Sequence, residues 1–230
     1  MIYKAALDPT GLARVYIAAM SPTHFQAAEF QAASGCSDAA LARLEIYAAQ
    51  LAKWQKAINL VAPNTLPDLW RRHFLDSAQV LPLAEGAGGT WLDLGSGAGF
   101  PGLVVAALGR ENVILVESDT RKAVFLRETA RLMDVSVTVR SERIEAVPRE
   151  TLGSEIGVIS ARALAPLEQL FAWAARFAGP ETVLLFPKGR QAEDELTLAL
   201  KSWKVSLQEA FPSQSDGEGR ILRFRGLVAR

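Results

Sequence analysis

The residues best suited to chemistry lie in one run, Asp93-Leu94-Gly95-Ser96-Gly97-Ala98-Gly99-Phe100-Pro101-Gly102. Three glycines at alternate positions let a backbone adopt positive φ and approach a ligand closely. The run follows an apolar stretch and precedes a helix-length segment, the strand-to-helix turn at which doubly wound sheets bind cofactors. The next apolar stretch ends in Glu117, 22 residues beyond Gly95. An acid at that spacing accepts hydrogen bonds from ribose hydroxyls. A dinucleotide fingerprint has Gly-x-Gly-x-x-Gly spacing and docks a pyrophosphate on a helix N-terminus. Here the spacing is Gly-x-Gly-x-Gly with Asp93 just ahead, which suits a ligand bearing an ammonium group, such as the amino-acid end of S-adenosylmethionine. The bland alternative is a tight turn with no ligand.

Other charged residues carry weaker signals. Arg71, Arg72 and His73 form a cluster that reads either as a solvated helix face or as a surface for RNA. Arg162 follows a buried strand at the same crest, where an unpaired guanidinium is costly, and a functional role is favoured over a plain ion pair. Lys188, in Pro187-Lys188-Gly189, reads equally as a phosphate or substrate contact and as a loop lysine in solvent. Arg220, Arg223, Arg225 and Arg230 give the last 11 residues four positive charges and no acid. That excess fits an RNA backbone and fits edge-strand charges that block aggregation equally well. Trp54, Trp70 and Trp91 sit in apolar patterns and are expected in the core. Cys36 reads as a small hydrophobe.

The elements that position these residues change texture at Gly86-Ala87-Gly88-Gly89. Upstream, Ser21-Pro22 marks a helix start, and Ser37-Asp38 opens an amphipathic helix with Leu41, Leu44, Ile46, Ala48, Leu51, Trp54, Ile58 and Leu60 as its apolar face. A second helix is expected from about Pro67-Asp68 to Leu81, so residues 21–85 read as helical throughout. Downstream, apolar runs at Thr90–Leu94, Asn112–Glu117, Ser136–Val139, Gly157–Ala161 and Thr182–Pro187 alternate with helix-length segments. That alternation predicts a parallel, doubly wound sheet. Trp203–Phe211 and Arg220–Leu227 have no helix between them, which predicts a terminal antiparallel hairpin. The expected division is an extension over residues 1–20, a helical annex over 21–86 and the α/β domain over 87–230.

Composition bounds the rest. Of 230 residues, 50% are hydrophobic and 22% charged, enough for a sizeable core. Lys+Arg and Asp+Glu are both 25, so any nucleic-acid contact must come from a local patch rather than a global field. One cysteine and two histidines far apart give no metal signal. No apolar run is long enough to span a bilayer, and the first residues lack the organisation of a signal peptide. A cytoplasmic enzyme with no membrane contact is expected.

Taken with the glycine loop, Arg72-His73-Phe74-Leu75-Asp76-Ser77 and Val158-Ile159-Ser160-Ala161-Arg162-Ala163 resemble the glucose-inhibited division protein B family. These are bacterial 16S ribosomal RNA methyltransferases that act on guanine N7. Trp54–Leu60, Arg121–Leu126 and Arg143-Ile144-Glu145 extend the resemblance, which covers about Leu44 to Gly189. It implies a class I, Rossmann-like S-adenosylmethionine-dependent methyltransferase sheet. The cofactor would be lined by Gly95, Gly97 and Phe100, its ribose held by Glu117, its adenine flanked by Ile144 and Glu145, and the pocket completed by Arg162. Glu117 stands where relatives commonly carry Asp. The activity implied is methylation of the guanine at conventional position 527, in 16S rRNA alone or within the small subunit, by a monomer that needs no general base and no metal. Arg71, Arg72, Lys188, Arg223 and Arg225 would contact RNA. The alternatives are a methyltransferase for another RNA or a small molecule and, further off, an NAD-dependent oxidoreductase, for which the third-glycine spacing and a proton-relay residue are missing.

Overall fold

A computed structural model describes residues 25–153 and 155–230. The expected extension over residues 1–20 and the helix start at Ser21-Pro22 lie outside them.

Five short runs rich in Val, Ile and Leu form parallel strands: β1 (Thr90–Leu94), β2 (Val113–Val116), β3 (Val137–Arg140), β4 (Ile156–Ser160) and β5 (Val183–Lys188). Antiparallel β7 (Leu207–Pro212) and β8 (Arg220–Arg225) complete a seven-stranded sheet of order β3-β2-β1-β4-β5-β8-β7. The expected terminal hairpin is present. Its first strand is shorter than the apolar run, because β6 (Trp203–Lys204) pairs separately with β9 (Val228–Ala229).

Alternation along the strands gives each face its own core. Trp91, Val113, Leu115, Val158, Val183 and Leu185 face one side, with α1 (Ala27–Ser34), α2 (Asp38–Trp54), α3 (Asp76–Ala78), α4 (Gly102–Ala107) and α5 (Thr120–Leu132). Leu92, Leu94, Ile114, Ile159, Leu184 and Phe186 face the other, with α6 (Leu167–Ala174) and α7 (Ala192–Ser202). Because β1 lies between β2 and β4, the chain leaves it in opposite directions on its two sides. A crevice opens at the carboxyl ends of β1 and β4, where such sheets bind ligands.

Residues 25–85 depart from the expected pair of long helices. Ser37 caps α2 by accepting a 3.2 Å hydrogen bond from Ala40 N, and Ala40, Leu44, Tyr47 and Leu51 form its buried stripe. Ile46, expected in the core, is exposed. The helix expected from Pro67 to Leu81 is instead a 3₁₀ turn (Pro63–Asp68), a π-turn (Trp70–Leu75), α3 and a second 3₁₀ turn (Pro82–Ala84). Pro63, Pro67 and Pro82 each lack a backbone donor and interrupt an α ladder. The wide π-turn buries Trp70, His73, Phe74 and Leu75 together, and such turns cluster at functional sites. Trp91 and Trp70 are core residues, Trp54 packs against the core, and Cys36 is a partly buried neighbour of it.

The entry to β4 leaves no room for a side chain at Gly157. A Cβ at Gly157 would lie 1.6 Å from Gly88 O, whereas one at Gly88 would meet nothing within 4 Å. Gly157→Ala should therefore destabilise the fold by at least about 3 kcal/mol, since backbone must move. Gly88→Ala should stay within about 0.5 kcal/mol of the unaltered protein. Urea denaturation of both variants checks this, and equal stabilities would contradict the packing described.

Candidate functional site

The glycine loop turns out of β1 with Gly95, Gly97 and Gly99 at φ of 61°, 57° and 98°, values costly to other residues. It is pinned beneath by Ser96, whose N–H donates to Val116 O (2.9 Å) and whose hydroxyl donates to Asp93 O (3.1 Å). Glu117, just past β2, is buried and braces the loop from the side. Its Oε2 accepts from Gly97 N (2.8 Å) and its Oε1 from Asp119 N (2.7 Å). Two amides hold the carboxylate in one orientation and leave each oxygen a further lone pair for a ligand hydroxyl. Around the Cβ position of Gly97 only Gly95 O comes within 4 Å, at 3.8 Å, so the loop is open toward a ligand there. Leu164 covers Gly95.

Asp93 is not on the ligand side of this loop. It points into the annex face of the sheet, fully buried, where its Oδ1 accepts from the Ser160 hydroxyl (2.6 Å), itself the acceptor for Trp91 Nε1 (2.8 Å). Burial raises its pKa to about 6, against the lowering effect of the Ser160 bond. This carboxylate is therefore not presented at the loop surface, where the sequence reading set it beside an ammonium group.

Arg162 is the meeting point of the site. Its Nη1 donates to Asp76 Oδ2 (2.8 Å) and Arg72 O (3.0 Å), its Nη2 to His73 Nδ1 (2.6 Å), and its guanidinium lies 4.9 Å from the centroid of Phe100. Phe100 is buried and stacks with His73 at 5.0 Å and with Tyr47 at 5.4 Å. The Tyr47 hydroxyl donates to Ala98 O inside the glycine loop, and burial raises its pKa. Burial, with the Arg162 charge adding to it, lowers His73 to about 3. The imidazole is neutral at physiological pH and unsuited to take up a proton. On the far side of the loop, Ile144 is buried in the turn after β3, and exposed Glu145 accepts from Trp173 Nε1 (2.8 Å).

Beside Arg162 opens a cleft of about 520 Å³, walled by Thr65, Arg72 and Asp76, by the Arg162–Pro166 segment, by Pro187–Gly189 and by the β7–β8 loop. Lys188 lines it with its charge already committed: Nζ donates to Glu195 Oε2 and Ala165 O, both at 2.6 Å. This lysine is not the loop residue in solvent that one reading of the sequence allowed; it lies in the cleft wall with an acid as partner. Arg71 pairs with Asp68 at 3.0 Å on the surface. Arg72 is exposed at the cleft rim, and its side chain has no partner among the described residues.

Arg223 and Arg225 are not brought to the cleft. Strand β8 runs antiparallel to β5, so Arg220, opposite Lys188, sits at the crest while the other two descend toward the opposite edge. Arg223 is bound to Glu209 at 2.8 Å and Arg225 lies 3.8 Å from Glu181. The acids that neutralise them are distant in sequence, which the local count could not register.

Sequence reasoning left Asp76, Thr65, Tyr47 and Ser160 without a role. Asp76 Oδ1 accepts from the Ser215 hydroxyl (2.7 Å), the Ser213 hydroxyl (3.3 Å) and Gln79 Nε2 (3.0 Å), which ties the hairpin loop to the annex. The signal available was the polar stretch Ser213-Gln214-Ser215-Asp216 between two strands. Among the described residues there is no His/Cys/Asp/Glu cluster able to hold a metal ion, and no helix long and apolar enough to cross a membrane.

The family description rRNA small subunit methyltransferase G matches residues 40–221. Two relatives called ribosomal RNA small subunit methyltransferase G are similar over nearly their whole length. The one from Parvibaculum lavamentivorans is 52% identical over 92% of this chain and 94% of its own. The one from Rhodospirillum centenum is 51% identical over 90% and 93%. Among solved structures, a glycopeptide N-methyltransferase superposes with a TM-score of 0.54 at 13% identity, over 66% of this chain and 93% of its own. A ribosomal protein L11 methylase from Lactobacillus delbrueckii subsp. bulgaricus gives 0.52 at 17% identity, over 66% and 76%. At these identities the structural likeness speaks for the methyltransferase-type sheet alone.

The buried carboxyl of Asp93 makes the site pH-sensitive in a defined direction. The folded protein keeps this proton up to about pH 6, whereas an ordinary aspartate loses it near pH 3.8. Between those values the folded state binds more protons, so this contribution to stability falls as pH rises and is constant above the window. Asp93→Asn removes it. Denaturation at pH 4 and pH 7 should show the variant improving relative to the unaltered protein by up to about 3 kcal/mol. A difference that does not change with pH would show that Asp93 titrates normally.

Proposed function

The chain belongs to the rRNA small subunit methyltransferase G family, and from that premise we propose that it transfers a methyl group from S-adenosylmethionine to N7 of a guanine in 16S rRNA, the one at conventional position 527. The observation that carries this reading is the pairing of a glycine loop open at Gly97 with a carboxylate fixed by two backbone amides at its flank. That arrangement suits a nucleoside ligand whose ribose diol donates to Glu117 while its amino-acid end follows Gly95 and Gly97. Phe100 and Arg162 close the inner wall, and Ile144 and Glu145 flank the adenine.

When bound, the cofactor supplies an electrophilic methyl group on a sulfonium. The chain's own work is alignment and exclusion of water. The cleft beside Arg162 is the target-base site, open enough at about 520 Å³ for a purine splayed out of its helix. Guanine N7 carries a lone pair and no proton, so no residue has to act as a base. His73 fits that requirement, being neutral and bonded through both ring nitrogens. Arg72, exposed at the rim beside surface-paired Arg71, is read as the phosphate contact. Lys188 and Arg223 are held by acids and act on the fold instead, and Arg225 lies away from the cleft, near Glu181. We further read residues 21–86 as the annex that carries the RNA-facing rim, residues 87–230 as the transferase domain, and the protein as a cytoplasmic monomer.

Two measurements test the reading. Calorimetric titration with S-adenosylmethionine should give saturable binding where NAD gives none, and Glu117→Ala should weaken that binding roughly ten- to a hundredfold. Unchanged affinity in the variant would remove the argument for the site. Separately, the single-turnover rate at saturating RNA and cofactor should be nearly flat from about pH 6.5 to 8.5. A log-linear rise with pH that one substitution abolishes would mean that a base is at work and that N7 is the wrong atom.

A further inference from the structure

Arg162 has five N–H groups, and three of them are engaged: both on Nη1, by Asp76 and the Arg72 carbonyl, and one on Nη2, by His73. The Nε–H and the second N–H of Nη2 have no partner among the described residues, and Arg162 lines the cleft. An ion pair to Asp76 alone would let the guanidinium swing about that contact. Three further restraints oppose this: the Arg72 carbonyl, the Phe100 face and the His73 ring nitrogen.

The third restraint depends on one tautomer. A guanidinium only donates, so His73 Nδ1 must present a bare lone pair to it. The ring proton then lies on Nε2 and is donated to Thr65 Oγ1, 2.8 Å away. Thr65 is free to accept because its own hydroxyl proton goes to Ala62 O at 2.7 Å. Donation thus runs in one direction from Arg162 through His73 and Thr65 to a backbone carbonyl. The ring is fixed a second time by stacking on Phe100.

We propose that His73, oriented by Thr65, is a positioning residue that locks the Arg162 guanidinium with two N–H groups left to offer to ligand oxygens at the border between loop and cleft. The binding part of this inference rests on the reading of the site as a methyl-donor pocket; the arrangement of the ring does not.

Ring ¹⁵N NMR of the ligand-free protein and calorimetry with S-adenosylmethionine together test it. The ring should be a neutral Nε2–H tautomer throughout about pH 5–8. Arg162→Ala should shift the Nδ1 resonance and admit the other tautomer, whereas Thr65→Val should shift the Nε2 resonance and leave its proton in place, because Arg162 still requires the Nδ1 lone pair. His73→Phe keeps the stacking and loses the acceptor, so cofactor affinity should drop roughly tenfold or more. His73→Asn, whose carbonyl oxygen replaces Nδ1, should recover most of that loss. In the Arg162→Ala background His73→Phe should cost nothing further, because the histidine acts through the arginine. The proposal is overturned if the Nδ1 resonance ignores Arg162→Ala, if His73→Phe binds normally, or if the two losses multiply. Should His73→Phe fail to fold, Thr65→Val and His73→Asn still give both readouts. Absence of any binding by the unaltered protein would instead refute the cofactor reading, and the ring resonances would still decide the lock.

Discussion

The ion pair between Asp76 and Arg162 joins four parts of the molecule that the chain keeps far apart. Asp76 belongs to the annex and Arg162 to the end of β4. The hairpin loop reaches the same carboxylate through Ser213 and Ser215, and the glycine loop reaches the same guanidinium through Phe100. The two side chains are only 14% and 16% exposed. Desolvating such a pair is expensive, and it persists because the Arg72 carbonyl, the His73 ring nitrogen and the hairpin serines bond to it as well, which leaves only two Arg162 N–H groups open on the cleft side. Removing either member would leave a largely buried charge, a loss on the order of 3–5 kcal/mol. This contact makes the annex part of the site rather than an appendage to it.

The sheet imposes the complementary constraint. Placing β1 between β2 and β4 brings the ends of three strands to one crest, so Glu117, the glycine loop and Arg162 converge although they are separated by dozens of residues. Glu117 stabilises the conformation of the loop it would share with a ligand. The carboxylate is thereby desolvated and oriented before any ligand arrives, and less ordering remains to be done on binding.

The parts legible in the sequence were those determined by nearest neighbours. The apolar runs from Thr90 to Pro187 became strands close to their expected bounds, four of them buried on both faces, where a strand needs nothing else, and the edge strand β3 half-exposed. The glycine loop and Glu117 were found for the same reason, their spacing being local. Three features escaped. Between Pro63 and Ala84 apolar periodicity suggested α-helix, yet prolines and the packing of Trp70, His73 and Phe74 produce 3₁₀ and π turns. The charges of Lys188, Arg223 and Arg225 looked available because their partners are contributed by other elements, Glu195 by α7, Glu209 by β7 and Glu181 by the approach to β5. A composition count registers charge but not its compensation by distant residues. The double role of His73 was equally invisible, since it requires Thr65 and Arg162 on either side.

The neutralised cations have a further consequence for the reaction proposed. Methylation at a lone pair without loss of a proton leaves the purine ring positively charged. A cleft lined by free lysine and arginine would favour the RNA backbone but oppose that product. Here Arg162 and Lys188 on the cleft wall are each matched by a carboxylate, Asp76 and Glu195, while Arg220 donates to the Gly219 carbonyl and Asp216 adds an acid at the same hairpin end. The charge of Arg72, which no acid among the described residues matches, stands at the rim, where the proposed reading has it meet phosphate rather than the ring. Fixed dipoles and paired charges act more strongly on developing charge in a partly dry site than they would in water. The partition of charge between rim and wall therefore lets one surface attract a polyanion and still accommodate a cationic base within it.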